Sequence, residues 1–551
     1  MKQAGCQSFA WGRGVAGLLT AFTALSVQAA DITFFSYSDI HYGADNGGKS
    51  PPKVKSEKME VINGLPGKPY PATIGGTVAK PRGIIMSGDL INDGAVDEKY
   101  PTQWADYVAD FGVNGEGRCQ FPVFEGLGNH DVNKNMFVFS QIKERNAARK
   151  KLGLIDNVSS NGYHYSWDWD GVHFVNANLF GGNEWFGEAD AYGPGHHPQV
   201  ARDFLVQDLK EHVGNSGRPV VYIQHFRPVD ENWWTFSAAD KLQKVLQDYN
   251  VIAILVGHQG GGVNNVWRGI NWISSNGDLV VARITPDNRF VALDRMDSEW
   301  GPAFEKKVTL SYASSGLPSA VNNGDWASQV TATGATLSGK ILFESVSPTQ
   351  VTVYWGTADG GAKPGGWQYS KELGVKKAGE VFSAPVTGLQ PWTNHYYRCR
   401  AVNSKGDAWA AASIPFSTAG LLPPGWQTGF IGYEQRPWGG ANGDNGTFTV
   451  KGSGRDIGEG GQRIDNFQYA YCTLDGDGEI IAHVGDMTVK SREPKAGIML
   501  RESLTDNARH VAVLVGVPGG IRQFSRKTVG GASSRSKTNA LKAPYWLKLS
   551  R

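Results

Sequence analysis

A chain of 551 residues is longer than one hydrophobic core can organise, so about two to four domains are expected. Its 40% apolar and 19% charged residues are the make-up of a folded, water-facing protein, and a net charge of +2 gives no electrostatic reason to expect a nucleic-acid patch. The 71 glycines and 18 tryptophans point to turn-rich β domains with aromatic cores. At the N-terminus, Lys2 and Arg13 precede the apolar stretch Gly14 to Val27, and Val27-Gln28-Ala29 has the small-residue form of a cleavage site. Residues 1–30 therefore read as a signal peptide too short and weakly apolar to span a bilayer, and a secreted or periplasmic location is expected. No later run is suited to a membrane span.

From 31 to 303 the chain alternates between strand-like and helix-like segments. Ile32–Ser38, Gly83–Ser87, Phe121–Leu127, Val220–Gln224 and Val251–Val256 are apolar runs of strand length. Val54–Gly64, Phe137–Lys151, Val200–Val213 and Ala238–Tyr249 have helical spacing. Tyr163–Trp169 and Val172–Asn178, broken by Asp170-Gly171, form a hairpin pattern. This rhythm predicts a layered α/β domain with sheets inside and helices outside.

After Met296 the helical periodicity stops. Residues 304–420 carry short alternating stretches such as Gln350–Trp355 and His395–Ala401 between Gly, Pro and Asn turns, the pattern of a β-sandwich. Gly420 to Gly425 reads as a linker, and 421–551 contain further strands, including Gly478–Val484, Gly497–Arg501, His510–Val515 and Tyr545–Leu549. A strand-like segment so near the last residue suggests a truncated third domain. Cys6 would leave with the signal; Cys119, Cys399 and Cys472 are scattered, one to each region, and are expected as free, buried thiols.

Five pieces that carry chemistry follow one another in order: Asp39-x-His41, Gly88-Asp89, Gly128-Asn129-His130-Asp131, His225 and Gly257-His258, nearly all at the ends of strand-like runs. Mixed oxygen and nitrogen donors plus a spare histidine are what two divalent cations and a phosphoester require. Asp39 and His41, two apart at a strand end, would share one face. Asp89 has two oxygens with which to bridge two metals, and Asn129 offers a neutral amide oxygen. His130 would face substrate as a general acid or a phosphate ligand, with Asp131 orienting it. Two cations bring four positive charges against the two negative charges of Asp39 and Asp89, and the residual field favours a phosphate and acidifies a bridging water. His173 reads as core and His164 as ambiguous; His196 and His197, in a Gly/Pro loop, could line a cleft or be solvated. Arg227, close to His225 and followed by Trp233 and Trp234, is a candidate phosphate clamp or a surface arginine.

The order DxH, GD, GNHD, a lone His and GH resembles that of the calcineurin-like metallophosphoesterases, and Tyr165 to Val175 resembles a hairpin block of the same superfamily. The resemblance covers about residues 31–275. It implies a four-layer α/β/β/α domain whose first metal takes Asp39, His41 and Asp89, and whose second takes Asp89, Asn129, His225 and His258. It also implies Fe, Mn or Zn as the metals, metal-bound hydroxide as nucleophile, and a phosphate mono- or diester as substrate. The departure is at Gly260, where the family's GHxH motif has a second histidine. A non-catalytic or single-metal binding protein on a degenerate phosphoesterase scaffold is therefore the rival reading, and a carbohydrate-active protein a weaker third. Thr352–Gly356 and Tyr396–Ala401 resemble fibronectin-type-III strands, and Gly497–Glu502 resembles concanavalin-like modules of exported enzymes. These β regions are expected either to contact a polysaccharide or cell surface or to act as spacers.

Overall fold

The computed structural model describes residues 31–43, 56–92, 100–131, 137–180, 198–228, 236–307 apart from 259, 261, 287–288 and 297–298, and 321–551 apart from 325–326, 344–347, 405, 411, 433–438, 453, 455, 459–463, 489–493, 517–519, 539–540 and 542. The leader expected over 1–30, and His196, His197, Trp233 and Trp234, lie outside them, as do Gly94, the next glycine after the Gly88-Asp89 turn, and Gln259, between His258 and Gly260.

Two sheets carry the first domain. In chain order the elements are β1 (Ile32–Ser36), α1 (Ser56–Gly64), β2 (Ile84–Met86), α2 (Tyr100–Asp110), β3 (Val123–Glu125), α3 (Phe137–Lys151), β4 (Asn157–Val158), β5 (Tyr165–Trp169), β6 (Val172–Asn176), α4 (Ala201–Asp208), β7 (Pro219–Ile223), α5 (Phe236–Leu246), β8 (Asn250–Val256), β9 (Asn265–Trp267), β10 (Ile270–Ser274), β11 (Leu279–Ile284), β12 (Arg289–Met296) and β13 (Glu299–Lys307). The first sheet has the order β13-β12-β11-β1-β2-β3 and the second β4-β5-β6-β7-β8-β10-β9. β1, β2 and β3 run parallel, with Phe35 opposite Ile84 and Ile84 opposite Val123, as do β6, β7, β8 and β10. Parallel strands buried on both faces read as continuous apolar runs, which is why these segments were legible.

Strand alternation divides their side chains between two cores. Ile32, Phe34, Ile85 and Phe124 of the first sheet share one core with Trp167, Phe174, Val221, Ile223, Ile252 and Leu255 of the second. Their neighbours Phe35, Ile84, Met86 and Val123 join another with Ile62, Tyr107, Phe139 and Ile142 of the helices, to which Val220, Tyr222, Ile254, Leu205 and Leu242 also belong. Trp167 stacks on Phe124 at 4.5 Å and on Phe174 at 5.2 Å, so the hairpin block is the aromatic centre between the sheets.

In the second region, sheets with the orders β14 (Val321–Asn322)-β15 (Gly334–Ile341)-β18 (Val381–Thr387) and β17 (Tyr369–Lys376)-β16 (Thr349–Gly356)-β19 (Asn394–Asn403)-β20 (Gly406–Trp409) share one core, with β21 (Ile414–Ser417) paired to β19. Tyr397 of β19 is buried in that core, and its hydroxyl donates to the Asn323 carbonyl at 2.6 Å. From Gln427 onward the strands form several small sheets, and the segment Tyr545–Ser550 pairs with Glu479–Val484. Cys119 and Cys399 are buried free thiols as expected; Cys472, expected buried, is exposed. Among the described residues no helix is long and apolar enough to cross a membrane.

Candidate metal centre

The motif residues meet where the carboxyl ends of β1, β2, β3, β7 and β8 converge, the usual binding edge of parallel sheets. The chain keeps pairing after the strands end. Asp39 N–H donates to Gly88 O at 3.1 Å and His41 N–H to Asp89 O at 3.1 Å, while Gly257 N–H donates to His225 O at 2.8 Å. Asp39 and His41 therefore do not share a strand face, as their spacing suggested. β1 ends at Ser36, and both residues adopt left-handed backbone, φ 58° and 45°. Asp89 (φ 54°) and His258 (φ 67°) do the same. Each such non-glycine residue costs about 1–2 kcal/mol, and strain of this kind gathers at functional sites.

The glycines of the motifs make room for the carboxylates. A Cβ at Gly128 would lie 2.1 Å from Asp89 Oδ1, and one at Gly257 would lie 2.3 Å from Asp39 Oδ2. Gly88, at φ 124°, has Gly128 N at 2.4 Å from where its Cβ would be.

Two donor clusters result, His41/Asp89/His130 and Asp89/His225/His258, each with its ligand atoms within 4.8 Å of one another. Asp89 belongs to both. Its Oδ2 lies 3.3 Å from His225 Nε2 and 3.7 Å from His41 Nε2, while its Oδ1 accepts from His130 N–H at 2.9 Å. Asn129 Oδ1 lies 3.1 Å from His225 Nε2 and 2.9 Å from His258 Nδ1, which brings the four donors expected for the second metal together. Asp39 Oδ1 accepts from His258 N–H at 2.7 Å. Asp39 Oδ2 and His41 Nδ1 are buried without hydrogen-bond partners among the described residues. Buried polar atoms cost free energy unless satisfied, and a carboxylate oxygen and an imidazole nitrogen left over beside a shared carboxylate suit divalent cations. The residues present fit the metals that the resemblance implies.

Burial and mutual charge set the electrostatics. Burial pushes the Asp39 carboxyl up to about 7 against the opposing pull of His225. Burial would also raise Asp89, but the surrounding His225, His130 and His41 outweigh it and hold this carboxyl well below the usual range. His225 shows the converse: burial lowers it, yet Asp89 and Asp39 carry it up to about 9. Burial lowers His41. Buried carboxylates that hold a proton on an enclosed imidazole create the negative potential that also attracts cations.

His130 sits in a short turn, Asn129–Asp131, with its ring edge-on to His41 at 4.6 Å. Its Nδ1 hydrogen-bonds the Asn92 carbonyl oxygen. The expected role of Asp131 as its orienting group is thus corrected. Asp131 is fully buried, and its oxygens accept from the backbone N–H of Leu90 (2.9 Å), Ile91 (3.1 Å) and Gly128 (2.7 Å), tying the second motif to the third. Asn92 escaped the sequence reading because it acts through its main chain, for which no side-chain type signals. Asn178 was missed as well; its amide takes Leu127 N–H at 2.8 Å and donates to Tyr163 O at 2.8 Å, supporting the same loop.

Two further histidines, His173 and His164, are held by the structure around them. His173 is buried between Asp168 (2.8 Å) and Asp208 (2.7 Å), and His164 is buried with Nε2 on Gln199 O at 2.8 Å. Arg227 is half-buried with its guanidinium 5.9 Å from the Trp272 ring centre.

Residues 34–261 match the model of the family Calcineurin-like phosphoesterase. No curated protein matches the chain. Among solved structures the chain is similar to GAP50, the anchor in the inner membrane complex of Plasmodium, at 13% identity over 51% of this chain and 89% of that one, with a TM-score of 0.33. It is also similar to PhoD at 10% identity, covering 50% and 68% of the two chains with a TM-score of 0.28. A third likeness, TM-score 0.14, is to the sensor domain of the anti-sigma factor RsgI4 in Pseudobacteroides cellulosolvens, at 20% identity over 18% of this chain and 95% of that one. Residues 34–261 thus unite a match to the calcineurin-like phosphoesterase family model with the two His/Asp clusters, and many β-strands in several sheets follow them.

Proposed function

We propose that the protein is an exported hydrolase of phosphate mono- or diesters that works with two divalent metal ions. The observation that carries this reading is the pair of donor clusters sharing Asp89, beside a buried Asp39 oxygen without a partner among the described residues. Asp39, His41 and Asp89 would hold one cation, and Asp89, Asn129, His225 and His258 the other. Bound there, the cations would supply positive charge to the phosphoryl oxygens and acidity to a water. His130 acts through the nitrogen that Asn92 leaves over. With Nδ1 engaged by the Asn92 carbonyl, Nε2 is the ring atom that can hand a proton to the departing oxygen. Gly128, Gly88 and Gly257 keep the carboxylates close, and Asp131 fixes the loops that present them.

The same reading takes residues 1–30 as a cleaved leader, 31–303 as a four-layer α/β/β/α catalytic domain, 304–420 as a fibronectin-type-III-like sandwich and 421–551 as a concanavalin-like one. The core shared by the two first-domain sheets, with helix residues in the other core, supports the four layers. Gly260, which offers no side-chain donor, favours the rival: a binding scaffold with a weakened first site. Hydrolysis of p-nitrophenyl phosphate and bis-p-nitrophenyl phosphate by protein loaded with Mn, Fe or Zn separates the two. Turnover that falls at least about a hundredfold in His130→Ala is expected for the hydrolase. No turnover of either ester by any metal form would favour the scaffold.

A further inference from the structure

The proposed first cation site lacks the imidazole that residue 260 would supply, and the space it would occupy has a neighbour. Gly260 is exposed with no positive φ, and among the described residues a Cβ built on it has only the Asn276 amide within 4 Å, at 3.8 Å. Asn276 reaches this place from the turn after β10. It pairs in parallel with Ser38, Gly277 N–H donates to Ser38 O at 2.9 Å, and Ser275 Oγ donates to Ser38 Oγ at 3.2 Å. Ser38 directly precedes Asp39, whose Oδ2 is buried without a partner among the described residues. Asn276 is half-buried, and among the described residues its amide makes no hydrogen bond. An amide held between the Asp39 segment and Gly260 has an oxygen to offer, since a half-turn of its last bond exchanges oxygen and nitrogen.

We propose that Asn276 supplies a neutral oxygen ligand to the first cation in place of an imidazole at 260. This rests on the two-cation reading above. With Asp39, Asp89 and Asn276 as oxygen donors and His41 as the nitrogen donor, the first site is richer in oxygen than the second, which shifts its preference towards Mn2+ relative to Zn2+.

Mn2+ binding to the full chain, followed by calorimetry and electron paramagnetic resonance, tests it without reference to turnover. The wild type is expected to bind two Mn2+ and show the spectrum of a spin-coupled pair. Asn276→Ala is expected to keep one and lose the other by at least about tenfold in affinity, leaving the spectrum of an isolated ion. Asn276→Asp, which keeps the shape and adds charge, retains the pair and binds the first ion more tightly. Asn276→Ala/Gly260→His regains the second ion with Zn2+ preferred over Mn2+. Two Mn2+ bound by Asn276→Ala with wild-type affinity, or weakened first-ion binding by a folded Asn276→Asp, would overturn the inference while leaving the two-cation reading in place. A wild type that binds neither metal would overturn both.

Discussion

Glu125 closes β3 three residues before the metal-site loop begins, and it should control how firmly that loop is held. Its side chain is fully buried, with Arg145 Nε on one oxygen and Arg149 Nη2 on the other. Arg145 also donates to Phe111 O at 2.8 Å, and Arg149 to Val123 O at 2.7 Å and Asn146 Oδ1 at 2.8 Å. One carboxylate thus clamps α3 to the strand that delivers Asn129 and His130. Burial would raise the Glu125 carboxyl, but the two guanidiniums more than offset it and hold it at about 2, against an ordinary 4.5. The difference corresponds to about 3 kcal/mol of stability at neutral pH. Since the folded value lies below the unfolded one, that contribution is complete above pH 4.5 and is lost as pH falls towards 2. Glu125→Gln leaves two buried cations sharing one neutral amide and should cost about 3–5 kcal/mol. Hydrogen exchange of the whole chain, read in peptides spanning residues 121–131, measures the local opening free energy. Wild-type protection should fall by about 3 kcal/mol as pH drops through the carboxylate range, and the variant should start lower and vary less. Equal protection in both proteins at pH 7 would refute this account of the clamp.

Other outcomes follow from the same geometry. Gly128→Ala puts a methyl 2.1 Å from where Asp89 Oδ1 lies, so Mn2+ affinity should fall at least about tenfold while far-UV circular dichroism is retained. Asp131→Ala strips three backbone N–H groups of their acceptor and should destabilise the first domain by about 2–4 kcal/mol in urea unfolding; unchanged stability with lost turnover would instead mark Asp131 as a catalytic group. His173 is held above its ordinary value because Asp168 and Asp208 outweigh the effect of burial. Its contribution to stability is full below 6.5 and lost as pH rises through the folded value, so its ring resonance should titrate above 6.5 in an NMR series. Tyr397→Phe removes the bond to Asn323 and should cost the second region about 1 kcal/mol, leaving phosphoester turnover unchanged.

The strands legible in the sequence are those buried on both faces, because a continuous apolar run survives without knowledge of its partners. The motif order located the site for a related reason: the donors follow such strands directly. What local pattern could not supply is long-range. β11, β12 and β13 complete the first sheet from its other side, with Phe34 opposite Ala282 in an antiparallel pairing that no nearby residue signals. Helix α2 also went unnoticed, although Trp104 and Tyr107 stand three apart on its buried side and Phe111, just past its end, joins the same core. The left-handed backbone of Asp39, His41, Asp89 and His258 was invisible because none is glycine; the adjacent Gly88 and Gly257 carry the steric trace of those turns. Asp131 shows the limit of adjacency as a guide, since the carboxylate next to His130 in sequence serves the backbone instead.

If one carboxylate joins two cation sites, Asp89→Asn must weaken both, and counting metals in this variant against the wild type decides it. Equilibrium dialysis against Mn2+ should give two ions per wild-type chain and a loss of affinity at both sites in the variant. Loss at one site alone, or a wild type that binds a single ion, would contradict a shared Asp89.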